Sequence, residues 1–218
     1  TPHFKAGDFR RLPLPLNRLG RVCEIAKEAV RCAKDDWNDS ETSSGFLGLD
    51  FLTVREAPSA REAWSVLADS KAKRIANMRA LEEENNRLFI EAYGLQDEVT
   101  PEVPEHQVTL SRPNVAQDSR RVISYAIGCV MGRYSLDEPG LIYAQAGNVN
   151  FDANRYSKKF PADIDGIVPL TDERWFEDDA ASSVREFLRA VWGAETLDEN
   201  MAWLAESLSA KGSEAPDE

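Results

Sequence analysis

Histidine is nearly absent from this 218-residue sequence, which holds only His3 and His106. Neither has a nucleophile or a second ligand at a recognisable spacing, so each reads as a surface or turn histidine and histidine-based chemistry has little to build on. Cysteine is scarce too. Cys23, Cys32 and Cys129 form no metal-spaced pair, and an odd count argues against a disulfide framework. All three fall on apolar faces of expected helices, where cysteine is ordinarily a small core residue. No G-x-S-x-G, P-loop or G-x-G-x-x-G is present, and none of the 11 prolines are adjacent. Twelve glycines and 11 prolines are too few for a collagen-like or low-complexity chain. No apolar run approaches the roughly 18–20 residues needed to span a bilayer, and no charged-then-apolar leader opens the sequence. The expectation is a cytoplasmic chain with no membrane association.

Positive charge is also short. The chain has 26 Lys and Arg against 38 Asp and Glu, a net charge of −12, which disfavours a free-standing module that grips phosphates by charge alone. The imbalance is local. Residues 1–75 carry a net +2, residues 76–160 a net −3, and residues 161–218 a net −11. Two ends of different charge can have different partners. At 42% hydrophobic residues, the length suits one large domain or two small ones with a real core.

The opening reads as a short strand, a turn at Gly7-Asp8 and an extended segment around Pro13 and Pro15, which hold their preceding residues out of helix. Asn17 is the expected N-cap of a helix of about twenty residues. Its stripe is Leu19, Val22, Cys23, Ala26, Ala29, Val30, Ala33 and Trp37. A second helix is expected from Pro58-Ser59 to Tyr93, with Gly94 as its stop. Its middle, Glu82-Glu83-Glu84-Asn85-Asn86, is polar throughout, so the two helices read as an antiparallel hairpin spacing two bodies apart. Asp118 is expected to cap a third helix, Arg120 to Tyr134, apolar nearly all round and carrying Gly128-x-x-x-Gly132 for a close backbone approach. Val108-Thr109-Leu110, Leu141–Ala144 and Gly166–Leu170 are strand candidates. Helices follow at Ala180–Trp192, stopped by Gly193, and from the capping box Thr196-Leu197-Asp198-Glu199 to Leu208.

The expected fold is therefore mainly α with minor β: a long antiparallel helical hairpin followed by a small mixed α/β domain. The expected division is a strand and proline linker over 1–16, a hairpin over 17–94, the mixed domain over 95–210 with its buried helix at 120–134, and a polar tail at 211–218.

Chemistry is thinly signalled. Asp163-Ile164-Asp165-Gly166 lacks the third acidic ligand and terminal Glu of a calcium loop. Asp172, Glu173, Glu177, Asp178 and Asp179 gather at a helix start, where carboxylates favour the dipole and solvation is the ordinary reading. Lys5, Arg10, Arg11, Arg18 and Arg21 cluster near the front, and Arg112, Arg120 and Arg121 near the third helix. Either group could contact phosphate; solvated faces or carboxylate partners are the commoner role for such residues.

Four stretches carry a family likeness: Asp36–Ser43, Glu83–Glu98, Thr100–Val103 and Ile123–Asp137. In that order they resemble the adenine-specific DNA methyltransferases of BREX phage-defence systems, the PglX family, in the region after the catalytic part. The resemblance implies a parent enzyme that methylates adenine N6 in a host recognition sequence with S-adenosylmethionine. Its catalytic signature, an Asn/Asp-Pro-Pro-Tyr/Phe loop, has no counterpart here, since the chain has no Pro-Pro pair. The implied chain is thus a fragment with no catalytic, cofactor or metal residues of its own, inactive alone, whose DNA contact comes through the parent. Arg10, Arg11, Arg18 and Arg21 are its candidate DNA-phosphate contacts. The alternative is an interaction module docking other phage-defence proteins through its acidic end. One departure stands out: after Thr42-Ser43 the family usually has an aromatic and an acidic residue, where this chain has Ser44 and Gly45.

Overall fold

Two long helices use most of the first hundred residues: α1, Leu19–Asn38, and α3, Ala60–Tyr93, with a single turn, α2, Asp50–Thr53, between them. The computed structural model describes residues 19–54, 57–145, 149–156, 158, 160–164, 166–171 and 175–208. Further helices are α4, Val115–Val130, α5, Ala180–Trp192, and α6, Leu197–Leu208. Short 3-10 turns sit at Glu105–Gln107 and Ala153–Arg155. The chain divides into two compact units, one of Thr1–Lys34 with Lys73–Leu110 and one of Asp35–Ala72 with Ser111–Glu218.

The expected minor β content does not form among the described residues. Among the described residues every regular element is helical and no β-strand forms, so the mixed α/β domain is corrected to an all-α one. A strand needs a neighbour for its backbone groups, and none of the three described segments read as strands has one alongside. Val108 and Leu110 are buried with Cys32, Ile75, Met78 and Val103. Leu141 is exposed while Ile142 N–H reaches the Arg133 carbonyl at 2.8 Å. In the third segment Val168 packs on the core, Ile167 and Leu170 face water, and the Pro169 carbonyl accepts from Ala180 N–H. The strand expected near the N-terminus lies outside the described residues, as do the Asn17 cap and the 211–218 tail.

In the first unit, α1 and α3 run antiparallel: the Cys32 thiol donates to the Arg74 carbonyl, and the Arg21 guanidinium forks onto Glu84 at 2.7 and 2.9 Å. The buried face of α1 holds Ile25 and Cys32, with Val22 and Ala29 half-buried. The stripe expected from sequence straddled two faces, and Cys23, Ala26, Val30, Ala33 and Trp37 are exposed. Periodicity marks a helix but cannot choose between two weakly apolar faces set one residue apart. The polar run of α3 ties down the returning segment. Glu83 accepts from Val103 N–H at 3.2 Å, and Asn86 donates to the Pro101 carbonyl. At the end of α3, Leu95 N–H bonds the Ile90 carbonyl and Gly94 N–H the Glu91 carbonyl, with Gly94 at φ 70°, a Schellman stop.

In the second unit α4, α5 and α6 pack on one another, joined by α2 and the first turns of α3. Phe187, Leu188, Val122 and Cys129 are fully buried there. The N-cap of α4 is Asn114, which accepts from Gln117 N–H at 3.0 Å; Asp118, expected as the cap, sits one turn in and is buried. The helix also ends earlier than expected. Gly132 at φ 71° receives the chain after Met131, and Arg133 N–H closes on the Gly128 carbonyl at 2.7 Å. The close approach allowed by Gly128 is made by a ring rather than a second helix. A Cβ there would lie 2.6 Å from Tyr134, whose ring stacks on Tyr125 at 4.9 Å.

Candidate functional site

The site is built on one face of α4. Gln117, Arg120, Arg121 and Ser124 recur at three- and four-residue spacing, so all four side chains line one open groove of about 720 Å³. Ser111 and Arg112 extend that wall before the helix, and Arg133 with Tyr134 extend it beyond. The opposite wall is the end of α1 and the turn after it, where Asp36, Asp39, Ser40, Glu41 and Thr42 face inward. Two of the four stretches that carry the family likeness, Asp36–Ser43 and Ile123–Asp137, thus contribute to the two walls.

The floor is ionic and largely buried. Lys71 occupies a core position of α3 in line with Ala60, Ala63 and Leu67, and is only 2% exposed. Its ammonium donates to Asp118 at 2.5 Å, and Asp118, 3% exposed, also accepts from the Trp64 indole and from Asn114 N–H, both at 3.3 Å. Arg121 bridges the walls, with one guanidinium nitrogen 2.7 Å from Asp39 and 3.6 Å from Asp118, and a second donating to the Asp39 carbonyl. Asp39 completes its shell by accepting from Asp50 N–H at 3.0 Å. Charges this buried persist only when paired and hydrogen-bonded. Lys71 and Arg121 thus neutralise Asp118 and Asp39 below the rim.

The rim is held by neutral donors. Ser111 donates through both N–H and hydroxyl to Asp36 at 2.9 and 3.0 Å. Tyr134 donates its hydroxyl to Glu41 at 3.2 Å, and burial together with that carboxylate pushes the phenol upward. Ser43 donates to Asn38, which shapes the turn. A Cβ on Gly45 would collide with the Asn38 amide, so this turn leaves no room for a side chain at that position. Arg112, Arg120 and Arg133 are exposed at the mouth. Arg120 makes no ion pair among the described residues, and Arg133 stacks over Tyr134 at 6.0 Å.

Of the residues expected to meet phosphate, Arg10, Arg11 and Arg18 lie outside the described residues. Arg21 is exposed on α1 and forks onto Glu84 while touching Glu24 at 3.3 Å. Arg112, Arg120 and Arg121 from the second cluster do come together. Arg133, Lys71 and Asp39 carry no site signal in the sequence, and Asp118 reads there as a cap.

The remaining candidates have ordinary roles. Cys129 is buried and its thiol is pushed up to about 12 by burial; Cys23 is exposed, contrary to its expected core place. Asp163 accepts from Gly166 N–H, and Asp179 caps α5 by accepting from Ser182 N–H. Thr196 donates to the Trp192 carbonyl and accepts from the Asn200 amide. His106 sits on an exposed 3-10 turn. Among the described residues no group of three or more His, Cys, Asp and Glu is placed to hold a metal ion, and no helix is long and apolar enough to cross a membrane.

No protein-family model matches the chain. Two curated relatives do. Over 221 aligned residues, 97% of its length, the chain is 38% identical to the adenine-specific methyltransferase PglX of Lacticaseibacillus casei (strain Zhang). Over 228 aligned residues, 95% of its length, it is 35% identical to the adenine-specific methyltransferase BrxX of Escherichia coli O9:H4 (strain HS). It spans 18% of the length of each.

Proposed function

The chain is homologous to a region of the PglX and BrxX adenine-specific methyltransferases, and on that premise we propose that it is a non-catalytic, DNA-recognition-associated region of such an enzyme. The parent would transfer the methyl group of S-adenosylmethionine to adenine N6 at a host recognition sequence, marking self DNA in BREX phage defence. The observation that carries this reading is the coincidence of similarity along nearly the whole chain with a sequence lacking any Pro-Pro pair. Without that loop nothing holds the target amino group.

The helical architecture suits a supporting part. Chemistry on a base requires the nucleotide to be flipped from the stack into a fixed pocket, so pocket and reader must be kept in register. Long helices spacing the catalytic part from the reading parts serve that end. The exposed apolar face of α1, with Val30 at 67% and Trp37 at 61% exposure, is of the kind that a larger assembly covers. Incubated with duplex DNA and tritiated S-adenosylmethionine, the isolated chain is expected to transfer no label. Incorporation into adenine would overturn the reading.

Docking to another defence protein is the second reading, favoured by Ile164, Leu170 and Trp175, which are 95%, 84% and 75% exposed in the acidic part of the chain. It requires a salt-insensitive complex with a purified defence component.

A further inference from the structure

We infer that the groove on α4 is a binding site for phosphate esters, reached by the guanidinium groups of Arg120 and Arg133. Three observations carry it. The groove's own carboxylates are engaged: Asp118 and Asp39 are neutralised by Lys71 and Arg121 in the floor, while Asp36 and Glu41 accept hydrogen bonds from Ser111 and Tyr134. The lining carries five cationic against four acidic side chains, a net positive surface in a chain of net charge −12. Hydroxyls of Ser40, Thr42 and Ser124 line the same space, and arginines interleaved with hydroxyls are what phosphate oxygens are bound by.

Apart from Tyr134, every residue that lines the groove is a charged, hydroxyl or amide residue. Tyr134, its one aromatic, is buried and committed to stacking on Tyr125, so no free ring face is offered to a base. Such a site reads phosphates and ignores bases, the mode by which proteins are positioned on a nucleic-acid backbone. A volume of about 720 Å³ also admits a free nucleotide, so the shared chemistry is the phosphate ester. The phosphate site rests on this geometry alone; that DNA supplies the phosphate rests on the functional reading above.

The test compares the whole chain with Arg120→Ala/Arg133→Ala and with Ser124→Asp, all at exposed positions. Arg61→Ala, at the exposed Arg61–Glu206 pair, is the control. Binding of a short fluorescent duplex is followed over a salt series, and ADP and inorganic phosphate are titrated separately by thermal shift. Duplex affinity is expected to fall roughly tenfold in both groove variants, irrespective of sequence, with the salt slope reduced by about two in the double variant. The control should bind like the parent chain. Stabilisation by ADP or phosphate that disappears in the groove variants, without duplex binding, also upholds the site and identifies a free phosphate ester as its occupant. Duplex binding that ignores the groove variants, or no response to any of the three ligands, overturns it. Neither outcome touches the methyl-transfer experiment, so the two proposals fail separately.

Discussion

A lysine in the core line of α3 fixes the chemistry of the second unit. Lys71 and Asp118 are each almost wholly buried, and removing one partner strands the other charge in the interior. Asp118→Ala is therefore expected to destabilise the protein by about 3–5 kcal/mol, read from urea denaturation. The paired change Lys71→Met/Asp118→Leu should recover a large part of that loss, because two apolar side chains replace the pair without leaving a lone charge. If the double variant is no more stable than Asp118→Ala, the pair is not the source of the effect. This pair was invisible in the sequence. A lysine at an apolar position and an acid in a first helical turn each have a commonplace explanation, and only folding across a separation of 47 residues brings them to 2.5 Å.

At the scale of elements the helices were legible and the strands were not. Ala180–Trp192 with Gly193 behind it, and Ala60–Tyr93 with Gly94 behind it, carry strong start and stop chemistry in their own residues. The segment 108–110 has alternating apolar residues, but alternation reports only which side chains turn inward, not whether a second strand lies alongside. The end of α4 shows what local geometry adds. Gly128→Ala must displace the Tyr134 ring, and with it the hydroxyl that holds Glu41. A loss of about 1–3 kcal/mol is expected, measured by thermal unfolding, and unchanged stability would contradict the ring's position. The α1–α3 pair should be acid-sensitive. Hydrogen bonding from Val103 N–H and Arg79 holds Glu83 below the ordinary glutamate value of 4.5, and Arg21 does the same for Glu84. A lowered carboxylate stabilises the fold above that value and ceases to do so as pH falls through the folded one. Glu83→Gln/Glu84→Gln should thus be less stable than the parent at neutral pH, the gap closing below about 4.5. A gap independent of pH would contradict the pairing.

For the whole molecule, net charge does not describe the groove. Most of the −12 lies in residues 161–218, whereas the arginines of the groove belong to the Ser111–Tyr134 stretch. Half of that groove was foreshadowed by Arg112, Arg120 and Arg121. The other half depends on Lys71 and Asp39 arriving from distant parts of the chain, which no local pattern announces. On the function proposed above, this region supports methylation without performing it. Titration calorimetry with S-adenosylmethionine tests it most directly, run on the chain beside full-length Escherichia coli BrxX. Heat of binding is expected for BrxX and none for the chain; micromolar binding of the cofactor by the chain would overturn the proposed function.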